Sequence, residues 1–148
     1  MDLKAKLEID LKNAMRAGDD TRKRTIRMVL SSCKMTEIDK GSPLDEQGVM
    51  AILQKEIKSR RESIQEAQKA SRPDLEGAAQ LEIAVLESYL PAPMSEAELV
   101  ALVQAVATEL GATGPADMGK VIKAAMARVQ GRAPGDKVSQ IVRTVLQK

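Results

Sequence analysis

Gly119, Lys120 and Lys123 stand near the start of a run of Ala, Val, Ile and Met residues, and Gly131-Arg132-Ala133-Pro134-Gly135 breaks that run further on. Residues of these types can hold an anion. The first amides of a helix lack intrahelical partners, the helix dipole is positive there, and a glycine lets a phosphate come close to the backbone. Lys120 and Lys123 add full charges, while Arg132 offers a planar donor on a short turn ahead of a second helix start that holds Lys137. The chemistry suggested is the gripping of a phosphate backbone. The same residues also suit a solvated helix face, with Asp117 as a simple cap and Gly119 as a packing contact, and spacing alone leaves both readings open.

Other chemistries are excluded by inventory. With Cys33 as the lone cysteine and no histidine, the chain cannot form an internal disulfide, a Ser-His or Cys-His pair, or the usual zinc, haem and iron-sulfur ligand sets. Glu56 and Glu82 lack a nucleophile or cofactor partner in the sequence, so no catalytic residue, metal site or cofactor is expected.

Seven helices are needed to position the candidate residues, and with Tyr89 as the only aromatic and no Phe or Trp the expected class is all-α. Leu3, Leu7, Leu11 and Met15 recur between Asp2 and Gly18 as a first helix. A second follows Asp19-Asp20-Thr21, with Ile26, Val29, Leu30 and Cys33 on one face and Gly41-Ser42-Pro43 past its end. A third begins at Asp45, carries Val49, Ile52, Leu53, Ile57, Ile64 and Ala67, and stops near Ala70 ahead of Pro73. The fourth sets Leu75, Ala78, Ala79, Leu86, Tyr89 and Leu90 on its apolar side.

Pro91-Ala92-Pro93 then marks a boundary between a subdomain of residues 1–90 and a smaller three-helix subdomain of residues 91–148. Ser95 to Glu98 matches a capping box for a fifth helix that ends at Gly111. The last two helices are expected from Asp117 to Val129 and from Pro134 to Leu146.

A helical wheel places Arg22, Glu56, Arg60 and Glu82 at core-facing positions of helices two, three and four. Charges there are costly unless paired, so the four are expected to meet as an ion-pair cluster. Lys23, Arg27 and Lys34 share a flank of helix two that reads as a solvated stripe or as an extension of an RNA track.

Residues 1–90 hold 16 basic and 16 acidic side chains, whereas residues 117–148 hold 7 basic ones against Asp117 and Asp136. The positive excess lies at the C-terminal end. No apolar stretch reaches the length of a membrane span and the N-terminus reads as an amphipathic helix, which sets the expectation of a soluble, cytoplasmic protein with no membrane partner.

Asp-Met-Gly-Lys-Val at 117–121, Gly-Arg-Ala-x-Gly at 131–135 and Gln140-Ile141-Val142-Arg143 resemble the signature of the GatB/YqeY family. Leu53 to Arg61 and Glu82 to Pro91 are similar to the stand-alone YqeY-like branch, so the likeness runs along the whole chain. It implies an all-helical fold and, through the tail of the B subunit of glutamine-dependent amidotransferases, a part in tRNA binding. Matched residue by residue, it implies Gly119, Lys120, Lys123, Gly131 and Arg132 as the tRNA-facing set. Asp136 departs from the family pattern, which often has a base in this loop.

Three functions follow as expectations. The first is a tRNA-binding helical module that supports tRNA-dependent amidation or aminoacylation, with an aminoacyl-tRNA synthetase or an amidotransferase as a further partner. The second is a component of a carbon-nitrogen ligase with glutamine as amide donor, for which no amidase stretch or P-loop is present. The third is a protein-protein adaptor working through its methionine-bearing surfaces.

Overall fold

The computed structural model describes residues 2–147, which are all-helical with no strand among them. The helices are α1 (Leu3–Ala17), α2 (Asp20–Lys40), α3 (Glu46–Lys69), α4 (Pro73–Glu87), α5 (Glu96–Leu110), α6 (Met118–Val129) and α7 (Gly135–Leu146), with a 3-10 turn at Pro115–Asp117. No single helix among these residues is long and apolar enough to cross a membrane. The chain forms two compact units, Met1–Leu90 and Pro91–Lys148.

Local side chains set most helix starts. The carboxylates of Asp2, Asp19 and Asp45 accept from the backbone N–H of Ala5, Arg22 and Gly48, and Ser95 Oγ accepts from Glu98 N–H at 3.1 Å. Each satisfies an amide that the first turn leaves unpaired. Pro73 opens α4 at a position where its missing N–H costs nothing.

In the first unit Leu7, Ile26, Val29, Cys33, Val49, Leu53, Ile57, Leu86 and Tyr89 form one buried cluster from α1, α2, α3 and the end of the α4 segment. Lys4 Nζ meets Glu37 Oε1 at 2.5 Å, and Glu37 also accepts from Leu44 N–H, so α1 and the approach to α3 are tied to the end of α2. The Lys4 ammonium, then the Leu44 amide, hold the Glu37 carboxyl below its ordinary range.

Three residues expected on apolar faces are exposed instead. Met15 and Leu75 are half exposed and Ala78 is open to solvent. Ala14 and Ala79, the direct neighbours of Met15 and Ala78, are buried, so α1 and α4 are covered at these heights on a side about 100° further round, while Leu75 lies in the first turn of α4.

In the second unit Leu99, Val103 and Val106 of α5 pack on Val121, Ala125 and Val129 of α6 and on Val138, Ile141, Val142 and Leu146 of α7. The segment entering this unit is stitched to the α6–α7 loop: Met94 N–H donates to Arg132 O at 2.9 Å.

Candidate functional site

Burial of Val121, Ala125 and Val129 fixes the rotation of α6 and therefore what it presents to solvent. The outward side carries Gly119, Lys120, Lys123 and Ala127, with Ala116 of the preceding 3-10 turn, all exposed. Small residues make this face smooth, and two lysines project from it. Among the described residues neither Lys120 nor Lys123 makes an ion pair. A methyl group built at Gly119 would meet nothing within 4 Å, so this glycine is no packing contact and leaves the face open.

The start of α6 differs from the sequence expectation. The 3-10 turn Pro115–Asp117 runs straight into the helix, and Met118 N–H is taken by Pro115 O. The Asp117 carboxylate turns back to accept from Thr113 N–H at 3.2 Å and does not cap α6. Helical backbone thus begins at Pro115, which has no N–H to donate, and the positive end of the dipole lies a turn ahead of Gly119. The charge of the face comes from its lysines.

Arg132, with its side chain 41% exposed, is engaged within the second unit. Its Nε donates to Ala92 O at 2.8 Å and its Nη2 reaches Glu98 Oε2 at 3.3 Å. Arg132, one of the residues expected to face tRNA, also clamps the entry to the second unit, because a guanidinium in reach of a carbonyl and a carboxylate makes charge-assisted bonds with both. Glu98, the expected capping-box acid, is directed to Arg132, leaving a one-way cap by Ser95. Gly131 has φ of 79°, directly after Gln130 at 51°. Two left-handed residues in succession reverse the chain, and the glycine is required for that turn.

The α7 start carries Lys137, exposed, next to Asp136, whose carboxylate accepts from Lys137 N–H at 2.9 Å. An acid in this first turn competes with any incoming anion for the same dipole. Arg128, on the other flank of α6, is paired with Glu109 of α5, which lowers the Glu109 pKa and raises that of Arg128.

In the first unit Arg60, only 6% exposed, donates from Nη1 to Glu56 Oε2 at 2.6 Å and from Nε to Glu82 Oε2 at 2.7 Å. Ser32 Oγ adds a 3.4 Å contact to Glu56, and the Met28 sulfur sits 3.3 Å from Arg60 Nη2. Arg22 is not part of this group. It lies in the first turn of α2, ahead of Met28 and Ser32, where Nη2 is 3.9 Å from Asp10 Oδ2.

Asp10 is the centre of a second polar group that sequence reasoning missed. Tyr89 OH donates to Asp10 Oδ2 at 2.5 Å, Lys6 Nζ stands 3.3 Å from the same oxygen, and Lys6 also lies over the Tyr89 ring at 4.8 Å. Burial and the Asp10 carboxylate push the Tyr89 hydroxyl up to about 12, while the hydrogen bond from Tyr89, then Lys6, hold the Asp10 carboxyl down. The available signals were a single tyrosine whose hydroxyl needs a partner when buried, and the Lys6/Asp10 spacing of one helical turn.

A family model described as Yqey-like protein matches residues 4–146. Altered inheritance of mitochondria protein 41, mitochondrial, of Lachancea thermotolerans is 43% identical over 118 residues, covering 78% of this chain and 63% of the relative. The protein of the same name from Eremothecium gossypii is 43% identical over 115 residues, 76% of this chain and 63% of the relative. That of Pyrenophora tritici-repentis is 30% identical over 131 residues, 86% and 71%. The chain thus spans less than two thirds of the length of the first two.

All three relatives are named as mitochondrial proteins, which overturns the expectation of a cytoplasmic location. The physical reason is that an address is a short segment read by a receptor and leaves no trace in the composition of the helices of a packed domain. Match length and identity agree with the motifs at 117–121 and 131–135, and the chain belongs to the Yqey-like family.

Proposed function

We propose that the second unit binds a folded RNA, with tRNA the preferred form, in support of tRNA-dependent amidation or aminoacylation. The observation that carries this reading is the outward face of α6, where Lys120 and Lys123 stand exposed beside an open Gly119 with no ion pair among the described residues. A smooth cationic helix face suits the phosphates of a structured RNA. The near absence of aromatic side chains argues against a single strand, which is usually held by stacking. Likeness of the 117–121 and 131–135 motifs to the tail of the amidotransferase B subunit supports tRNA as the class.

The contact set is Gly119, Lys120 and Lys123, with Gly131 and Arg132 shaping the turn behind it. A mobility-shift titration of the full chain with total tRNA over a salt series tests the proposal. Affinity falls steeply with salt, and Lys120→Ala and Lys123→Ala each lower the log-log slope by about 0.7–0.9. Binding indifferent to salt and to both substitutions overturns it.

A further inference from the structure

The first unit is neutral as a whole, yet its charges are unevenly spread. Between Asp20 and Glu37 there is no acidic residue, while Arg22, Lys23, Arg24, Arg27 and Lys34 all fall in this stretch of α2. Two of these are neutralised within the fold: Lys23 meets Asp20 at 3.3 Å and Arg22 stands beside Asp10. Arg24, Arg27 and Lys34 are exposed and make no ion pair among the described residues.

The same outward side of α2 exposes apolar side chains. Met28, Met35 and Ile38 are 51%, 67% and 68% exposed, and helical geometry puts the first two in line, two turns apart, with Ile38 about a turn beyond. Met28 is anchored at its inner edge by the Arg60 guanidinium. On the other flank Met15, at the end of α1, brings its sulfur within 3.8 Å of Arg27 Nη2 and widens the surface. Methionines and one isoleucine thus alternate with Arg24, Arg27 and Lys34, none of which has an ion-pair partner among the described residues, and one exposed acid, Asp39, stands beside Ile38 at the far end of the stripe.

We propose that this face of α2 docks an acidic amphipathic helix of another protein. Unbranched, polarisable methionines repack readily against a partner's apolar stripe, and the carboxylates bordering that stripe complement Arg24, Arg27 and Lys34. A bilayer fits less well, since the aromatic and leucine anchors typical of interfacial helices are missing from this face. RNA also fits less well, because phosphates gain nothing from three exposed apolar side chains and there is no ring on which a base stacks. This site lies on a different unit from α6 and does not depend on the RNA reading.

The test uses the full chain and a fluorescent synthetic helix of about four turns, with leucines along one stripe and glutamates on both flanks, followed by anisotropy. The helix binds saturably. The double substitution Met35→Ser with Ile38→Ser weakens it by about tenfold, and so does Arg27→Glu with Lys34→Glu. A peptide with lysines in place of its glutamates recovers binding to the charge-reversed chain, and Lys120→Ala changes none of these values. All four positions are exposed, and unchanged thermal unfolding of each variant verifies that the fold is kept. The proposal is overturned by any of three results. These are no saturable binding, equal binding of a peptide with the same composition but no apolar stripe, or weakening by the charge reversal with no weakening by Met35→Ser and Ile38→Ser. It is likewise overturned if the helix does not bind while phosphatidylglycerol vesicles or total tRNA bind and respond to these substitutions.

Discussion

Arg60 Nε donates to Glu82 Oε2 at 2.7 Å, joining α3 to α4, and the same guanidinium holds Glu56 one turn back on α3. One buried cation serves two carboxylates, each about a fifth exposed. Removing the cation leaves two partly buried acids without a counter-charge, Glu56 keeping only the Ser32 hydroxyl. Arg60→Ala is expected to destabilise the first unit by about 2–4 kcal/mol in urea unfolding, with Glu82→Gln costing about half of that. A change in Arg60→Ala within about 0.5 kcal/mol means that the group is effectively solvated.

Tyr89 is the only tyrosine and its hydroxyl is raised to about 12. Because the folded value lies above the ordinary 10, the contribution of this group to stability is fully present below pH 10 and is lost as pH rises toward 12. Alkaline titration followed by tyrosinate absorbance therefore shows a single midpoint displaced upward. Asp10→Asn lowers that midpoint, since the neighbouring carboxylate is the second cause of the shift after burial. Asp10 itself is held below its ordinary value, so its own contribution is present above the ordinary carboxylate pKa and fades as pH falls through the lowered one.

Arg132 clamps Ala92 O and Glu98. Arg132→Ala is expected to lower the stability of the second unit by about 1 kcal/mol while leaving the salt slope of RNA binding where it was. Arg132→Lys does not restore it, because an ammonium cannot reproduce the fork that addresses both acceptors. Unfolding in denaturant and the mobility-shift series separate the two effects.

Gly119 divides structure from function. In an exposed helical position with open space around it, Gly119→Ala is expected to raise stability by about 0.5 kcal/mol. The added methyl stands where a phosphate approaches, so the same variant weakens RNA binding. An affinity that stays constant while stability rises separates this glycine from the RNA contact.

Helix class and most boundaries were legible because capping is local: Asp2, Asp19, Asp45 and Ser95 bond amides three residues away. The start of α6 was not, since whether Asp117 caps or turns back to Thr113 depends on a 3-10 turn that composition does not announce. Wheel angles bring Glu56, Arg60 and Glu82 to a shared side, but the same angles misplace Arg22. An angle says which way a residue points and leaves open which helix stands opposite at that height. The Arg132 partners lie 34 and 40 positions away, beyond the reach of any periodicity.

Cys33 is wholly buried against the α1, α2 and α3 core, and burial raises its thiol above the ordinary value. It reacts with a thiol reagent only when that core opens. The sole thiol and the sole phenol both belong to the first unit, so each is a private clock for its opening. Helical circular dichroism counts both units, and the interval between the two traces measures how far the three-helix C-terminal part melts on its own.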